Sequence, residues 1–88
     1  MADLSQNELI VFLQQQVAEF IKADPSEIDP DTEFINFGID SMNAIYMIEV
    51  LEKKLNTELN PLHFWEYPTI RTLAEKIISE INLKKSHP

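Results

Sequence analysis

The spacing of apolar residues constrains the fold of this chain more than any other feature of its sequence. In three stretches, apolar residues recur every three to four positions, as on one face of an α-helix, and no stretch alternates as a half-buried strand would. The three stripes are Leu9, Phe12, Leu13, Val17, Phe20 and Ile21; Ala44, Met47, Ile48, Leu51 and Leu55; and Ile70, Leu73, Ala74, Ile77, Ile78 and Ile81. The sequence therefore predicts an all-α fold with three long helices.

Local start and stop signals set the limits of these helices. Ser5 followed by Glu8 has the pattern of a capping box, and Thr69 is a suitable N-cap for the last helix. A segment bracketed by Pro61 and Pro68 leaves room for one further, short helix. The expected helices span 5–21, about 41–55, part of 60–68, and 70–81. Together they predict a small four-helix bundle of three longer helices and one short helix.

A long loop is expected between the first two long helices, over 23–38. Two Asp-Pro steps, Asp24-Pro25 and Asp29-Pro30, disfavour helix there, and the segment is longer than most connections in compact domains. The loop carries three large apolar side chains, Ile28, Phe34 and Phe37. Because such side chains gain free energy by leaving water, we expect an ordered loop in which both phenylalanines are buried.

Length and composition limit the class of protein. With 88 residues the chain has room for one domain, 1–88, with a core over about 5–82 and a flexible tail over 83–88. It has no cysteine, which excludes disulfides and thiolate metal sites and agrees with a cytoplasmic location. Its first residues are acidic and no apolar run reaches membrane-spanning length, so we expect neither a signal peptide nor a membrane segment.

The charge balance bears on partners. Fifteen acidic and seven basic residues give a formal net charge of -8 at pH 7. This charge disfavours binding to a nucleic acid or to an anionic membrane, and it favours basic partners. Since many small proteins are acidic for solubility alone, the net charge does not by itself identify a function.

The start of the second long helix contains the candidate reactive group. Gly38, the only glycine, predicts a sharp turn that delivers Asp40 and Ser41 to the helix N-terminus. Free N–H groups and the helix dipole favour an anion there, so a phosphate on the Ser41 hydroxyl would be well placed. The carboxylate of Asp40 would oppose that phosphate unless a cation such as Mg²⁺ is shared between them. Asp and Ser at a helix start also serve commonly as plain caps, and local chemistry alone favours that alternative.

The same helix has a second face that we expect to be exposed. It combines apolar side chains with carboxylates: Met42, Ile45, Tyr46, Glu49 and Glu52. An apolar patch beside a reactive hydroxyl predicts a docking surface for partner proteins, although scattered exposed apolar residues occur without any function.

These features resemble those of acyl and peptidyl carrier domains over almost the whole chain. The run Phe37-Gly38-Ile39-Asp40-Ser41-Met42 is similar to the family motif Gly-x-Asp-Ser-(Leu, Ile or Met). The stretches 28–32 and 64–70, the latter followed by Leu73-Ala74, are similar to stretches of polyketide-synthase carriers. The resemblance implies a four-helix bundle in which Ser41 receives 4'-phosphopantetheine from coenzyme A through a Mg²⁺-dependent phosphopantetheinyl transferase. Asp40 matches the motif aspartate that helps to place the metal.

The resemblance also implies a role and a set of partners. The chain would be a monomeric carrier with no catalytic residues and no resident metal, holding acyl groups as thioesters on the arm. Its partners would be the transferase, an acyl-loading enzyme (acyltransferase or acyl-AMP ligase), and a ketosynthase or other synthase domains. The second long helix would be the recognition helix, with Met42, Ile45, Tyr46, Glu49 and Glu52 as partner contacts.

Four alternatives stay open at this point. Peptidyl carriers usually have a second glycine or a histidine where this chain has Ile39, so an acyl cargo is favoured over a peptidyl one. The acidic loop imitates the ligand spacing of a calcium-binding EF-hand, but Phe34 occupies its glycine position. An enzyme would need partners for His63 or His87 that no motif supplies. An acidic helical adaptor would dock partners without modification of Ser41.

Overall fold

Four α-helices and two 3₁₀ turns form the fold in the computed structural model, which describes residues 5–86, and the side chains of 5–82. The helices are α1 (Gln6–Ile21), α2 (Ser41–Leu55), α3 (His63–Glu66) and α4 (Ile70–Ser86), and the 3₁₀ turns are Pro25–Glu27 and Phe34–Phe37. Residues 5–86 contain no β-strand, and one isolated antiparallel bridge joins Glu33 to Thr69. The predicted all-α bundle of three longer helices and one short helix is confirmed.

Side-chain caps begin the first and last helices where the sequence places them. At the start of α1, Ser5 Oγ accepts from the Glu8 N–H at 3.1 Å, and Glu8 Oε1 accepts from the Ser5 N–H at 2.9 Å. At the start of α4, Thr69 Oγ1 accepts from the Thr72 N–H at 3.1 Å. Each cap satisfies backbone donors that have no partner within the helix, so both predicted start signals are confirmed.

The core lies between the inner faces of α1, α2 and α4, and α3 and the loops close it. Its buried members on the long helices are Leu9, Ile10, Leu13, Val17, Ala18, Ala44, Met47, Ile48, Leu51, Ile70, Leu73, Ala74 and Ile77. Ile28, Phe34, Ile39, Leu59 and Phe64 complete it from the connections and α3. Phe20 departs from the pattern: it lies in the last turn of α1 at the edge of a groove against α2 and remains exposed.

The long connection from α1 to α2 is ordered by bonds to the start of α4. The Phe34 N–H donates to the Pro68 carbonyl at 2.8 Å, and the Arg71 N–H donates to the Pro30 carbonyl at 3.0 Å. The Arg71 guanidinium also binds Asp31 through two bonds, Nε to Oδ1 at 2.7 Å and Nη2 to Oδ2 at 3.3 Å. We call these contacts the α4 clamp; they explain why a loop of this length is ordered.

Apolar anchors hold the same connection to the core, but fewer than expected. Ile28 and Phe34 are buried, as the sequence predicts. Phe37 was also expected to be buried, and that expectation is wrong: its side chain is only partly buried at the edge of the core. The position inside the core near Gly38 is taken by Ile39 instead, because the turn at Gly38 reverses which neighbour faces inward.

The C-terminal part of the bundle differs from the sequence prediction in length. The apolar stripe ends at Ile81, yet α4 continues to Ser86. Part of the segment expected as a tail, 83–88, is therefore helical, and the flexibility expected there stays a prediction; residues 87 and 88 lie outside the described residues.

The folded chain bears on two features, a membrane-spanning helix and a calcium site. Across residues 5–86, none of the helices combines the length and apolar character needed to cross a bilayer. Among the same residues, no three acidic or histidine side chains converge in a way that could hold a metal ion. In the loop that imitates an EF-hand, Asp31 binds Arg71, and Asp29 accepts from the Asp31 N–H at 2.9 Å. These acidic side chains stabilise the loop itself.

Candidate functional site

The second 3₁₀ turn and Gly38 direct the chain into α2. The Gly38 N–H donates to the Ile35 carbonyl at 3.0 Å, which closes the turn, and Gly38 has a φ of 79°. A Cβ at Gly38 would meet no atom within 4 Å. The left-handed backbone conformation, rather than crowding, is therefore what calls for glycine here.

Asp40 is the N-cap of α2, and Ser41 is the first residue of the helix. Asp40 has an extended backbone, and its Oδ1 accepts from the Asn43 N–H at 3.0 Å. Its carbonyl accepts from the Ala44 N–H at 2.9 Å, the first bond of the helix. Asp40 therefore has the cap role considered from sequence. The cap does not use the hydroxyl of Ser41.

The Ser41 side chain is exposed at the N-terminal end of a helix of 15 residues. An anion attached there would lie next to the first N–H groups of α2 and at the positive end of its dipole. Asp40 is also exposed, so a cation could reach its carboxylate and an attached phosphate together. The arrangement suits Ser41 as an acceptor of a phosphate-linked group.

His63, the one histidine in the described part of the chain, has a structural role. It is buried, with Nε2 3.1 Å from Glu80 Oε2 and Nδ1 3.3 Å from Glu66 Oε1, and it joins α3 to α4. Its ring nitrogens are therefore engaged away from the Ser41 hydroxyl. This geometry does not provide the serine–histidine pair that nucleophilic catalysis requires.

The outer face of α2 agrees with the sequence prediction in four of five positions. Met42, Ile45 and Tyr46 are exposed, Met42 to 80%, and Glu49 is exposed one turn further along. Glu52 differs. It is partly buried, and its Oε2 accepts from the N–H of a residue in the following loop, Leu59, at 2.8 Å. Glu52 therefore holds the loop after α2, a role that its helical spacing did not reveal.

Sequence reasoning missed a second apolar group beside Ser41. Ile35 is 66% exposed and Trp65 is 50% exposed, and both line a cleft that also includes Ser41. A signal was present in the sequence, since each follows a phenylalanine, Phe34 or Phe64. Adjacent side chains on a helical turn point in different directions, so an element of only four residues can bury one of two neighbouring large apolar side chains and leave the other exposed.

Comparisons with known proteins agree with this geometry. The family described as "Phosphopantetheine attachment site" matches residues 11–77, which is more than half of the chain. Polyketide synthase PksL of Bacillus subtilis is 33% identical over 69 residues, covering 78% of this chain but 2% of that protein. The chain thus spans only a small fraction of the synthases that it matches.

Two solved structures have the same fold. A free-standing peptidyl carrier protein from Acinetobacter baumannii is 34% identical, with a TM-score of 0.83, covering 90% of this chain and 99% of that one. An acyl carrier protein from Anabaena sp. is 32% identical, with a TM-score of 0.83 and coverage of 91% of each chain. From the family match, these likenesses and the helical bundle, the chain belongs to the phosphopantetheine-attachment family, as a non-catalytic carrier protein whose cofactor is covalently bound 4'-phosphopantetheine.

Proposed function

We propose that Ser41 is the attachment residue and that the arm on it carries acyl intermediates of polyketide or related biosynthesis as thioesters. The observation that carries this proposal is the exposed Ser41 hydroxyl at the first position of α2, next to a helix cap that Asp40 supplies. When bound, the arm supplies a thiol that forms the thioester. The chain itself presents the hydroxyl and accommodates the phosphate at a helix N-terminus.

The test is modification by a broad-specificity phosphopantetheinyl transferase with coenzyme A and Mg²⁺, followed by intact mass measurement. The parent should gain one phosphopantetheine, and Ser41→Ala should gain none while keeping its helix content. Ser79→Ala, at an exposed serine on α4, is the matched control and should be modified like the parent. Modification of Ser41→Ala would reject the assignment, and a parent that stays unmodified would favour the adaptor alternative.

Asp40 is proposed to support the attachment reaction as well as to cap α2. Its carboxylate lies at the same helix end as Ser41, so it could share Mg²⁺ with the phosphates of the incoming coenzyme A. Asp40→Asn keeps an N-cap acceptor but removes the charge. This variant should keep its stability and lose modification rate, most clearly at low Mg²⁺. An equal rate at every Mg²⁺ concentration would leave Asp40 with the cap role alone.

An acyl cargo is proposed over a peptidyl one. The support is the set of curated relatives, which are polyketide synthases, together with the stretches 28–32 and 64–70. The likeness to a peptidyl carrier protein keeps the peptidyl alternative as the competing outcome. Loading of the modified protein by an acyltransferase or an acyl-AMP ligase, compared with loading by an adenylation domain for amino acids, distinguishes the two.

The proposed partners are the transferase, an acyl-loading enzyme, and a ketosynthase or other synthase domains, which dock on the outer face of α2. Ile45 and Val11 provide a matched test, because both are 49% exposed but lie on different helices. Ile45→Arg should slow acyl transfer without lowering stability, and Val11→Arg should not. Glu49→Lys should slow association at low salt and less so at high salt, since exposed charges act mainly on encounter. Equal effects of the two arginine variants would remove the recognition role from α2.

We further propose that the protein acts as a monomer in the cytoplasm. The absence of cysteine from the chain supports a reducing compartment. Size-exclusion chromatography with light scattering tests the oligomeric state of the modified protein, and fractionation of the source cells tests the location.

A further inference from the structure

A shallow cleft lies beside Ser41 and shares none of its lining residues with the outer face of α2. It has a volume of about 370 Å³ and is lined by Ile35, Gly38, Ile39, Asp40, Ser41 and Trp65. The lining is mostly apolar, and the two large exposed side chains in it come from the second 3₁₀ turn and from α3. The proposed attachment atom is thus part of the wall of the cleft.

An aromatic pair beneath the cleft holds its two apolar walls in place. The rings of Phe34 and Phe64 have centroids 4.1 Å apart at an angle of 35°, and both side chains are buried. Ile35 and Trp65 are the next residues along the chain from each ring, and they project outward. Because the buried pair ties the 3₁₀ turn to α3, the two elements that carry Ile35 and Trp65 are held together.

We propose that this cleft holds the first part of the arm, with the geminal methyl groups of its pantoyl unit packed between Ile35 and Trp65. The inference rests on the proposed attachment to Ser41. The pantoyl methyl groups follow the phosphate after only one carbon, so an arm on Ser41 reaches the cleft without stretching. A group tethered in this way is present at high effective concentration, which allows weak apolar contact to be populated.

The shape of the surface favours this path for the arm over the outer face of α2. Asp40 lines the cleft, so its carboxylate repels a phosphodiester on Ser41 on either path, and charge does not distinguish the two. The outer face offers Met42, Ile45 and Tyr46 as exposed apolar side chains of one helix, whereas the cleft combines apolar side chains from two elements with Ser41 in its wall. The phosphate stays in water at the helix end, and the methyl groups that follow it pack on both apolar walls of the cleft.

Trp65 provides a direct readout, because it is the only tryptophan in the chain. Intact mass first establishes that the sample carries the arm. We then expect the acrylamide quenching constant of Trp65 to fall by roughly a third to a half on modification, because one face of an exposed indole becomes covered. Nuclear Overhauser contacts should connect the pantoyl methyl protons to the Trp65 ring protons and to the Ile35 methyl groups.

Two variants distinguish the cleft from other exposed aromatic surface. In modified Trp65→Ala, the chemical shifts of the two pantoyl methyl groups should move to those of free pantetheine. In modified Tyr46→Ala, which removes an exposed ring from the outer face of α2, they should stay at the parent values. Circular dichroism of both variants shows whether the bundle is intact, and Ile35→Ser provides a second cleft variant.

Three results would overturn the inference. A parent that accepts no arm fails the proposed function, and the inference fails with it. A parent that carries the arm but shows unchanged quenching and no methyl contacts rejects the cleft alone. If Trp65→Ala slows transfer to a partner enzyme while the modified parent shows no such contacts, the cleft belongs to the partner and not to the arm.

Discussion

Replacing Phe34 by alanine should destabilise this protein more than any other change in the loop before α2. The side chain is buried, and its ring packs on Phe64 with the centroids 4.1 Å apart. Emptying such an aromatic site costs about 3–5 kcal/mol, of which about 0.5–1.5 kcal/mol comes from the ring pair itself. Alanine keeps the backbone N–H that donates to the Pro68 carbonyl at 2.8 Å, so the expected loss comes from the side chain alone. We expect a loss of about 4 kcal/mol.

Urea unfolding followed by far-ultraviolet circular dichroism measures this loss at equilibrium. Domains of this kind have total stabilities of about 5–15 kcal/mol, so Phe34→Ala should move the midpoint far toward zero urea. Alanine substitutions at two neighbouring residues of the loop provide a comparison for this loss of stability. Phe37→Ala, at a partly buried ring, should cost about half as much, and Ile35→Ala, at an exposed side chain, should change stability by no more than about 0.5 kcal/mol.

The relative losses of stability in these three variants test whether the buried ring pair orders the loop. If Phe34→Ala cost no more than Phe37→Ala, the loop would not depend on the buried ring pair. A parent-like midpoint for Phe34→Ala would show that the clamp alone orders the loop.

Three further changes test other parts of the structure. Gly38→Ala should cost about 1–2 kcal/mol in thermal unfolding although a Cβ has free space, because the residue has a φ of 79°. Hydrogen bonding to Arg71 holds the pKa of Asp31 below its ordinary value of 3.8. The ion pair therefore stabilises fully above that value and is lost as pH falls through the lowered pKa, so the stability difference between parent and Asp31→Asn should disappear in strong acid. Glu52→Ala should lower stability by about 1–2 kcal/mol in urea because it removes the acceptor of the Leu59 N–H, whereas Glu49→Ala, at an exposed carboxylate, should leave it nearly unchanged.

The helices were predictable because the signals that define them are local. Periodic apolar residues and a side-chain cap act within one or two turns, so α1 and α2 end within a residue of their predicted limits. The same holds for the attachment region, where a single glycine and an Asp-Ser pair mark the start of α2. The burial of the core stripe of α2 follows from the helical spacing of its apolar residues.

The parts that sequence reasoning missed depend on contacts between distant segments. Glu52 lies on the predicted outer face of α2, but the loop that follows folds back and uses its carboxylate. Phe37 is only partly buried and Ile39 is buried, because the chain turns at Gly38 between them. The exposure of Trp65 follows from the pairing of its neighbour with a residue on another element. None of these outcomes is encoded in the period of a single helix.

The α4 clamp has a consequence for the order in which the protein folds. Its ion pair joins residues that are 40 positions apart, Asp31 and Arg71, whereas the bonds of α1 and α2 close over four positions. Local helices form early, but a contact that closes so long a segment must wait until most of the chain has been collected. The approach to Ser41 is therefore expected to be completed late in folding. Release of the α4 clamp would also loosen the segment before Ser41 while α1 and α2 stay formed. Such a partial opening costs less free energy than unfolding of the whole domain.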